Sequence, residues 1–398
     1  MPKDMHDDAT RERTRRNYLG TVGALAGGAA LAGCLGEAPG SNSDEGSYSV
    51  SLAPMGEVEF DEPPESAFTI YPQYADMAVA LGRSEAIESM FATNMAETTM
   101  GHYYDHLEGV DYEWGDLVNP LDGDFSRETV YSVDADVHLA DPAWVSTQSN
   151  WGESELDEVR DQQGPWFGNF YSGTHADPPE AYRDSYEYYG LWELFGKVAA
   201  VFDEVERYEA IKAIRDDAVA TIEENLPPEE ERPTAVRVTY NAQNDQFFTY
   251  HLNKPGYWLA DTRPLGATDA FADRDWEQLW GTVDYETMLE ADPDVILHLW
   301  GLTPWTDMND VRDTLESEAS GRKLSAVQND RVYAAGMRYQ GPIMNLFQLE
   351  MGAKQLYPDQ FGEWPGTPDG GASYPEIPED ERLFDRQKLA DAITGSGE

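Results

Sequence analysis

Residues 128–139 read ETVYSVDADVHL, and residues 286–297 read ETMLEADPDVIL. Both segments start with apolar residues at helical spacing, pass through an Asp-x-Asp turn and end in a short apolar run. The pattern predicts a helix, a turn and a buried strand in the same order at two places in the chain. A repeated unit of this kind indicates two equivalent α/β halves.

Similar signals surround each segment. In the first half, residues 67–71 predict a strand, residues 74–81 a helix that stops at Gly82, and residues 87–91 another strand. The second half has strand patterns at 234–240, 294–299 and 331–335 and a closing helix at 346–356. Strands that alternate with helices are typical of parallel βαβ units. We therefore predict two Rossmann-like lobes, at 51–185 and at 229–398 with a Pro- and Gly-rich tail.

The segment between these lobes predicts one long helix. Its apolar stripe starts at Leu191, and no strong helix breaker follows until Pro227 and Pro228. A continuous helix from Leu191 to Leu226 is roughly 54 Å long. We expect this backbone helix, at 186–228, to join the two lobes and to leave a ligand cleft between them.

The charge of the chain restricts its partners. The formal net charge is −49, with 20 Arg and 7 Lys. This excess of carboxylates repels nucleic acid phosphates, so we expect no nucleic acid partner. Abundant Asp and Glu with few Lys favour a halophilic protein, because molar salt reduces the Debye length to roughly 3 Å. Aromatic residues make up 12%, which argues against an acidic disordered chain.

The N-terminus has the pattern of an export signal. Arg15 and Arg16 precede an uncharged Ala- and Gly-rich run that ends at Leu31-Ala32-Gly33-Cys34. We predict a twin-arginine lipoprotein signal at 1–34, lipidation of Cys34 and a flexible tether at 35–50. The protein is then held at the extracellular face of the cytoplasmic membrane by its lipid alone. Cys34 is the only cysteine, so an intrachain disulfide is excluded.

Several stretches resemble the helical-backbone periplasmic substrate-binding proteins of ABC importers. They are residues 63–90 (PPESAFTIYPQYADMAVALGRSEAIESM), the paired segments quoted above, residues 324–335 (LSAVQNDRVYAA) and residues 341–361 (GPIMNLFQLEMGAKQLYPDQF). The first paired segment departs from the family pattern at Ala135, where proline is usual. The resemblance covers residues 55–362, and the leader is similar to that of halophilic archaeal lipoproteins.

This resemblance implies a function without catalysis. It implies a monomeric receptor that delivers an iron-siderophore-type chelate to the transmembrane subunits of an ABC permease, docking through acidic residues. The ligand carries iron or cobalt, and no intrinsic cofactor is expected. Cobalamin and haem are alternatives within the class, and free zinc or manganese is another. A surface-anchored hydrolase is the less favoured alternative, because no Gly-x-Ser-x-Gly elbow and no phosphate-binding glycine loop occur.

The loops that leave the predicted strands are rich in aromatic residues. Ligands in open α/β sheets bind at the carboxyl ends of strands. Aromatic faces suit a bulky conjugated ligand, and an arginine in such a loop offers two parallel donors to its oxygen atoms. Trp305 lies in the same loop as Trp300. The predicted ligand-binding residues are Tyr71, Tyr74, Trp144, Trp166, Tyr240, Trp300, Arg338 and Tyr339.

The histidines are the basis of the metal-ion alternative. His102 and His106 are four residues apart, which places both on one helix face as in zinc sites. The third and fourth ligands that such a site needs are not evident, so we expect no metal site. His138 and His298 each lie inside a predicted strand, which favours a packing role.

Overall fold

The computed structural model describes residues 47–396 apart from residues 111, 113, 115, 116, 243, 277, 367–369, 371 and 372. The predicted signal, its lipidation site Cys34 and most of the predicted tether lie outside the described residues. The first strand begins at Tyr48. The predicted tether at 35–50 therefore extends too far, because its last residues pair with residues 58–60.

Strands occur in both halves of the described chain. They are β1 Tyr48–Leu52, β2 Gly56–Phe60, β3 Ala67–Thr69, β4 Val137–Leu139, β5 Thr234–Asn241, β6 Gln246–Tyr250, β7 Thr268–Asp269, β8 Trp280–Val283, β9 Val295–His298 and β10 Val332–Ala334. β1 and β2 form an antiparallel hairpin, while β3 and β4 pair in parallel. The other strands form a mixed sheet in the order β10-β9-β5-β6-β8, with β7 beside β5.

Helices connect these strands and cover the sheets. They are α1 Pro72–Ala80, α2 Thr93–Tyr104, α3 Arg127–Val133, α4 Pro142–Val145, α5 Glu153–Gln162, α6 Tyr171–Thr174, α7 Leu191–Val201, α8 Val205–Asn225, α9 Tyr285–Ala291, α10 Met308–Ser317, α11 Ser325–Gln328, α12 Pro342–Leu356, α13 Pro358–Phe361 and α14 Arg386–Thr394. The mixed α/β fold that the sequence predicts is confirmed.

The two Asp-x-Asp turns have the same backbone geometry. Asp134 ends α3 with φ of 51°, and Asp292 ends α9 with φ of 36°. Both values lie in the left-handed region, which aspartate enters more readily than most residues. Each helix therefore stops at its first aspartate, and the chain turns directly into β4 or β9.

The second aspartate of each turn fixes the start of the neighbouring strand. Asp136 accepts hydrogen bonds from the backbone N–H groups of Glu65 and Ser66 at 3.0 and 2.9 Å, just ahead of β3. Asp294 accepts one from the N–H of Thr234, the first residue of β5, at 2.9 Å. The repeated sequence thus performs the same structural task in both halves.

The sheet of the second half is not purely parallel. β5, β9 and β10 pair in parallel as predicted, but β6 and β8 add to the sheet in antiparallel orientation. A tight turn with Asp245 in the left-handed region, at φ of 50°, reverses the chain between β5 and β6. This hairpin was not predicted from the sequence.

The strand predicted at 87–91 is wrong as a continuous element. Ile87 and Ser89 make isolated parallel bridges, to Ala67 and to Val118. Side-chain hydrogen bonds replace part of the ladder, since the Ser89 hydroxyl accepts from the Thr69 N–H at 3.0 Å. The segment runs beside β3 without forming a strand of its own.

The predicted continuous backbone helix is also wrong. α7 ends at Val201, Asp203 adopts φ of 55°, and the Glu204 N–H donates to the Ala199 carbonyl at 2.8 Å, as in a Schellman helix end. The rings of Phe195 and Tyr208 then lie 5.3 Å apart. In one straight helix these residues would be separated by about 20 Å. α8 therefore folds back against α7.

The segment after α13 packs onto the core. Glu350 of α12 is fully buried and pairs with Arg386 of α14. The Glu350 carboxylate also accepts hydrogen bonds from the Tyr374 hydroxyl and the Leu383 N–H, each at 2.7 Å. The predicted Pro- and Gly-rich tail thus contains an ordered helix. Among the described residues, no helix is both long and apolar enough to cross a membrane.

Candidate functional site

Two tyrosines from opposite halves of the sequence meet. Tyr71 follows β3 and precedes α1, whereas Tyr339 lies in the loop after β10. Their ring centroids are 5.0 Å apart. Burial, aided by the neighbouring Tyr339 hydroxyl, raises the pKa of Tyr71 well above its ordinary value. Tyr71 therefore stays a neutral phenol at any physiological pH.

Two further rings surround Tyr71 on the side of the first half. Phe170 stacks on it at 5.1 Å and Trp144 meets it edge-on at 5.7 Å. Asp141 holds both in place, because its carboxylate accepts the N–H of Ala143 at the start of α4 and the N–H of Phe170. Burial raises the pKa of Asp141 to about 6.

Arg338 occupies the centre of the aromatic residues from the second half. Its guanidinium carbon lies 4.5 Å from the Trp258 ring centroid and 5.9 Å from that of Trp300. One terminal nitrogen donates to the Tyr250 hydroxyl at 3.1 Å, and the other donates to the Tyr339 hydroxyl at 2.8 Å. Nε is buried and has no hydrogen-bond partner among the described residues. The Arg338 guanidinium is thus a cation among aromatic rings, and one of its N–H donors is unused.

We define the aromatic cluster as these rings and the guanidinium they enclose. Its members are Tyr71, Trp144, Phe170, Tyr250, Trp258, Trp280, Trp300, Arg338 and Tyr339. The cavity beside Tyr71 and Trp144 is lined by residues of the first half only and, at about 10 Å³, has room for no more than about one water molecule. Tyr71 and Tyr339 are in contact across the two halves, so a bulky ligand that binds between them has to separate these rings.

The backbone at Trp300 is strained. Trp300 has φ of 68°, a value that bulky residues rarely adopt. Its N–H donates to the Gly336 carbonyl at 3.0 Å, and the Leu302 N–H donates to the Ala335 carbonyl at 3.2 Å. These bonds hold the loop after β9 against the loop after β10. Strain of this kind is concentrated at functional sites, where surrounding structure maintains it.

Buried polar groups fix the loop that carries Arg338. Gln340 donates to the Asp261 carboxylate at 2.8 Å, and the same oxygen accepts from Arg237 at 3.1 Å. Asn345 donates to the Gln340 side-chain oxygen at 2.8 Å. The loop that carries Arg338 is therefore anchored to β5 and to α12.

Five of the eight predicted ligand-binding residues belong to the aromatic cluster. They are Tyr71, Trp144, Trp300, Arg338 and Tyr339. Tyr74 lies beneath the cluster, fully buried, where its hydroxyl accepts the N–H of Asn169 at 2.8 Å. The structure thus brings together most of the residues that the loops of the sequence indicated.

Trp166 and Tyr240 lie elsewhere. Trp166 packs on His138 and donates to the Leu156 carbonyl at 3.0 Å. It lines a separate groove of about 650 Å³ that involves residues of the first half only. Tyr240 packs on Phe247, since β5 continues into the unpredicted hairpin at this point. Among the described residues, neither ring is in contact with a ring of the aromatic cluster.

A family model described as periplasmic binding protein matches residues 69–339. The chain belongs to the periplasmic binding protein family. The matched stretch encloses the whole aromatic cluster. A comparison with curated proteins found no match.

Solved structures share the fold of this binding protein. A TroA-like periplasmic binding protein, FepB, from Veillonella parvula has a TM-score of 0.57 at 14% identity over 87% of this chain and 95% of its own. The iron uptake ABC transporter substrate-binding protein PiuA from Streptococcus pneumoniae Canada MDR_19A has a TM-score of 0.52 at 15% identity, over 79% of this chain and 100% of its own. The heme binding protein HmuT has a TM-score of 0.52 at 16% identity, over 80% and 94%. At such identities the similarity establishes the fold alone.

Sequence reasoning missed four members of the aromatic cluster in this binding protein. Tyr250 ends β6, Trp280 starts β8, and Trp258 lies in the connection between these strands. They were missed because the antiparallel strands were not predicted. Phe170 lies four residues after the predicted residue Trp166, in one aromatic stretch of the sequence. Its position in the same aromatic stretch was the available signal.

The histidines of the described residues do not converge on a metal site. Burial lowers the pKa of His298 to about 4, and its Nε2 accepts the Tyr240 N–H at 3.1 Å. Burial also lowers the pKa of His138, which packs in β4. His102 and His106 do lie on or next to α2, but no group of three or more metal-binding side chains is found in the described part of the chain.

Proposed function

We propose that this protein is an extracytoplasmic receptor that captures an iron-siderophore-type chelate and delivers it to an ABC import permease. The observation that carries the proposal is the environment of Arg338. A buried, unused donor atom of the half-buried Arg338 lies within rings contributed by both halves of the chain. This arrangement suits a bulky ligand with oxygen donors on its surface.

The chemistry of the aromatic cluster supports this class of ligand. Guanidinium groups bind carboxylate and other oxygen anions through parallel hydrogen bonds. The surrounding rings exclude water, which strengthens these bonds, and each ring can bury about 150–250 Å² against a ligand. In a chain with a net charge of −49, the half-buried Arg338 cation offers a place where an anionic chelate can bind.

The proposal includes a closing motion between two lobes. The first lobe carries β3 and β4, and the second carries the mixed sheet. Their contact through Tyr71 and Tyr339 corresponds to a closed arrangement, and separation of these rings admits the ligand. The proteins of similar fold named for iron uptake and heme binding support the assignment to this transport class.

Further parts of the proposal come from the sequence. They are export by a twin-arginine signal, attachment through a lipid on Cys34, a halophilic and archaeal source, and action as a monomer with no cofactor of its own. The permease docks through acidic residues, and the iron or cobalt belongs to the ligand. Haem and cobalamin are the alternatives that the same cluster could accept.

The test is a binding assay on the purified mature protein in molar salt. Thermal shift and calorimetry are measured with a ferric trihydroxamate, a ferric tris-catecholate, haemin, cobalamin and zinc chloride. We expect a ferric chelate to raise the melting temperature and Arg338→Ala to weaken its binding at least tenfold. Arg127→Ala removes an exposed arginine that pairs with Glu158 and should bind normally. Binding of zinc alone, or equal affinities of the two variants, contradicts the proposal.

A further inference from the structure

Trp305 is exposed at the edge of the aromatic cluster. Its fractional exposure is 63%, the largest among the exposed large hydrophobic residues of the described chain. Its ring centroid lies 6.4 Å from that of Trp300. A single exposed apolar side chain needs no special explanation. Trp305 differs because its ring extends a row of rings that begins inside the cluster.

The row of rings leads from the cation to the surface. The guanidinium carbon of Arg338 lies 4.9 Å from the Tyr339 ring, and Tyr339 lies 5.7 Å from Trp300. Trp300 in turn contacts Trp305. A ligand whose oxygen atoms reach Arg338 would therefore place its outer substituents beside Trp305.

The backbone presents Trp305 from a well-fixed loop. On one side the Thr303 hydroxyl donates to the Trp300 carbonyl at 2.8 Å, and the Thr306 N–H donates to the Thr303 carbonyl at 3.2 Å. On the other side Asp307 caps α10 by accepting the Asn309 N–H at 2.8 Å. The exposed indole is thus held in position rather than left on a free loop.

We infer that Trp305 is the outermost ligand contact and that it selects chelates whose oxygen donors are carried on aromatic rings. The inference rests on the proposed function and names the ligand class of that site. An aromatic ring can stack on the exposed indole face at a centroid distance of about 4.5–7 Å. An aliphatic chelate would bind Arg338 through its oxygen atoms but would gain no stacking at Trp305.

The experiment compares two chelates on four proteins by calorimetry in molar salt. The chelates are an iron(III) tris-catecholate and an iron(III) complex of an aliphatic trihydroxamate. The proteins are the wild type, Trp305→Ala, Trp305→Phe and the control Tyr188→Ala, which removes another exposed aromatic residue. Because the catecholate complex carries more negative charge than the trihydroxamate complex, the readout is the loss that each substitution causes with each chelate. Trp305→Ala should weaken catecholate binding roughly two- to tenfold, the range for one aromatic pair.

The remaining outcomes separate this inference from the proposed function. Trp305→Phe should retain most of the catecholate affinity, and the trihydroxamate should bind all four proteins alike. Unchanged catecholate binding by Trp305→Ala, or equal losses for both chelates, overturns the inference and leaves the receptor function intact. Normal binding with reduced stimulation of the permease ATPase would reassign Trp305 to permease docking. Binding of neither chelate to the wild type overturns both proposals.

Discussion

The carboxylate of Asp76, in α1, accepts a hydrogen bond from the backbone N–H of Ile343 at 2.9 Å. It also accepts from the Met344 N–H at 3.3 Å and from the Tyr104 hydroxyl at 2.5 Å. A side chain from the first half therefore caps the N-terminus of α12 in the second half, where a negative charge is favourable. Because Asp76 is completely buried, desolvation raises its pKa to about 7.

The Asp76 cap makes stability depend on pH in a defined direction. The folded pKa lies above the ordinary value of 3.8, so the folded protein binds a proton more tightly than the unfolded chain. The stability from this group is complete below pH 3.8 and is lost as the pH rises through about 7. Between pH 5 and pH 8, the melting temperature of the wild type should fall further than that of Asp76→Asn, which has no carboxyl group at this position. Asp105→Asn, an exposed control, should follow the wild type, and parallel curves for all three would contradict the prediction.

The left-handed backbone of Trp300 predicts an unusual order of variant stabilities. Trp300→Gly and Trp300→Ala both delete the indole and its contacts. Only glycine adopts φ of 68° without steric cost, which for alanine is roughly 1 kcal/mol. The glycine variant should therefore have the higher free energy of unfolding by about that amount, measured by urea titration.

The control for this order is Trp305, whose φ is not positive. There the alanine variant should equal or exceed the glycine variant in stability, because glycine loses more chain entropy on folding. If alanine is also the more stable residue at position 300, the strain at Trp300 is not maintained in solution.

The equivalent aspartates of the two turns predict additive losses. Asp136 accepts two backbone N–H groups, whereas Asp294 accepts one. Each unpaired group costs roughly 1–3 kcal/mol where it is shielded from water and less where water replaces the partner. Asp136→Ala should therefore destabilise more than Asp294→Ala, and the double variant should show the sum. A calorimetric unfolding series checks this, and a reversed order would contradict the assigned bonds.

These turns also show what the sequence could predict. The Asp-x-Asp pattern has a local cause, a left-handed residue followed by a carboxylate acceptor, so it identified two equivalent strands correctly. The break between α7 and α8 has no such signal. The residues from Val201 to Val205 include no glycine or proline, and the turn forms because Phe195 and Tyr208 pack together. Tertiary packing there outweighs helical propensity.

The candidate site, like the fold, could be predicted only in part from the sequence. Tyr71, Trp144, Trp300, Arg338 and Tyr339 follow strands that the hydrophobic pattern had identified, so their meeting followed from topology. Trp258 lies in the connection between β6 and β8, and Trp280 starts β8; these short antiparallel strands carry no clear alternation. Tyr240 was misplaced for the same reason, because the chain after β5 turns back instead of entering the cleft.

The pair of Glu350 and Arg386 predicts a large cost for removing one charge. Both side chains are buried, and Arg386 lies 4.6 Å from the Phe347 ring centroid. Arg386→Ala leaves the Glu350 carboxylate without its partner and should reduce the free energy of unfolding by about 3–5 kcal/mol. The double variant Glu350→Gln with Arg386→Met should lose less, because no uncompensated charge remains.

Molar salt should not abolish the difference between these variants, since buried pairs are screened far less than exposed ones. The exposed pair Arg127–Glu158 is the control, and Arg127→Ala should cost no more than about 1 kcal/mol. A similar small loss for Arg386→Ala would show that the segment after α13 is not docked as described.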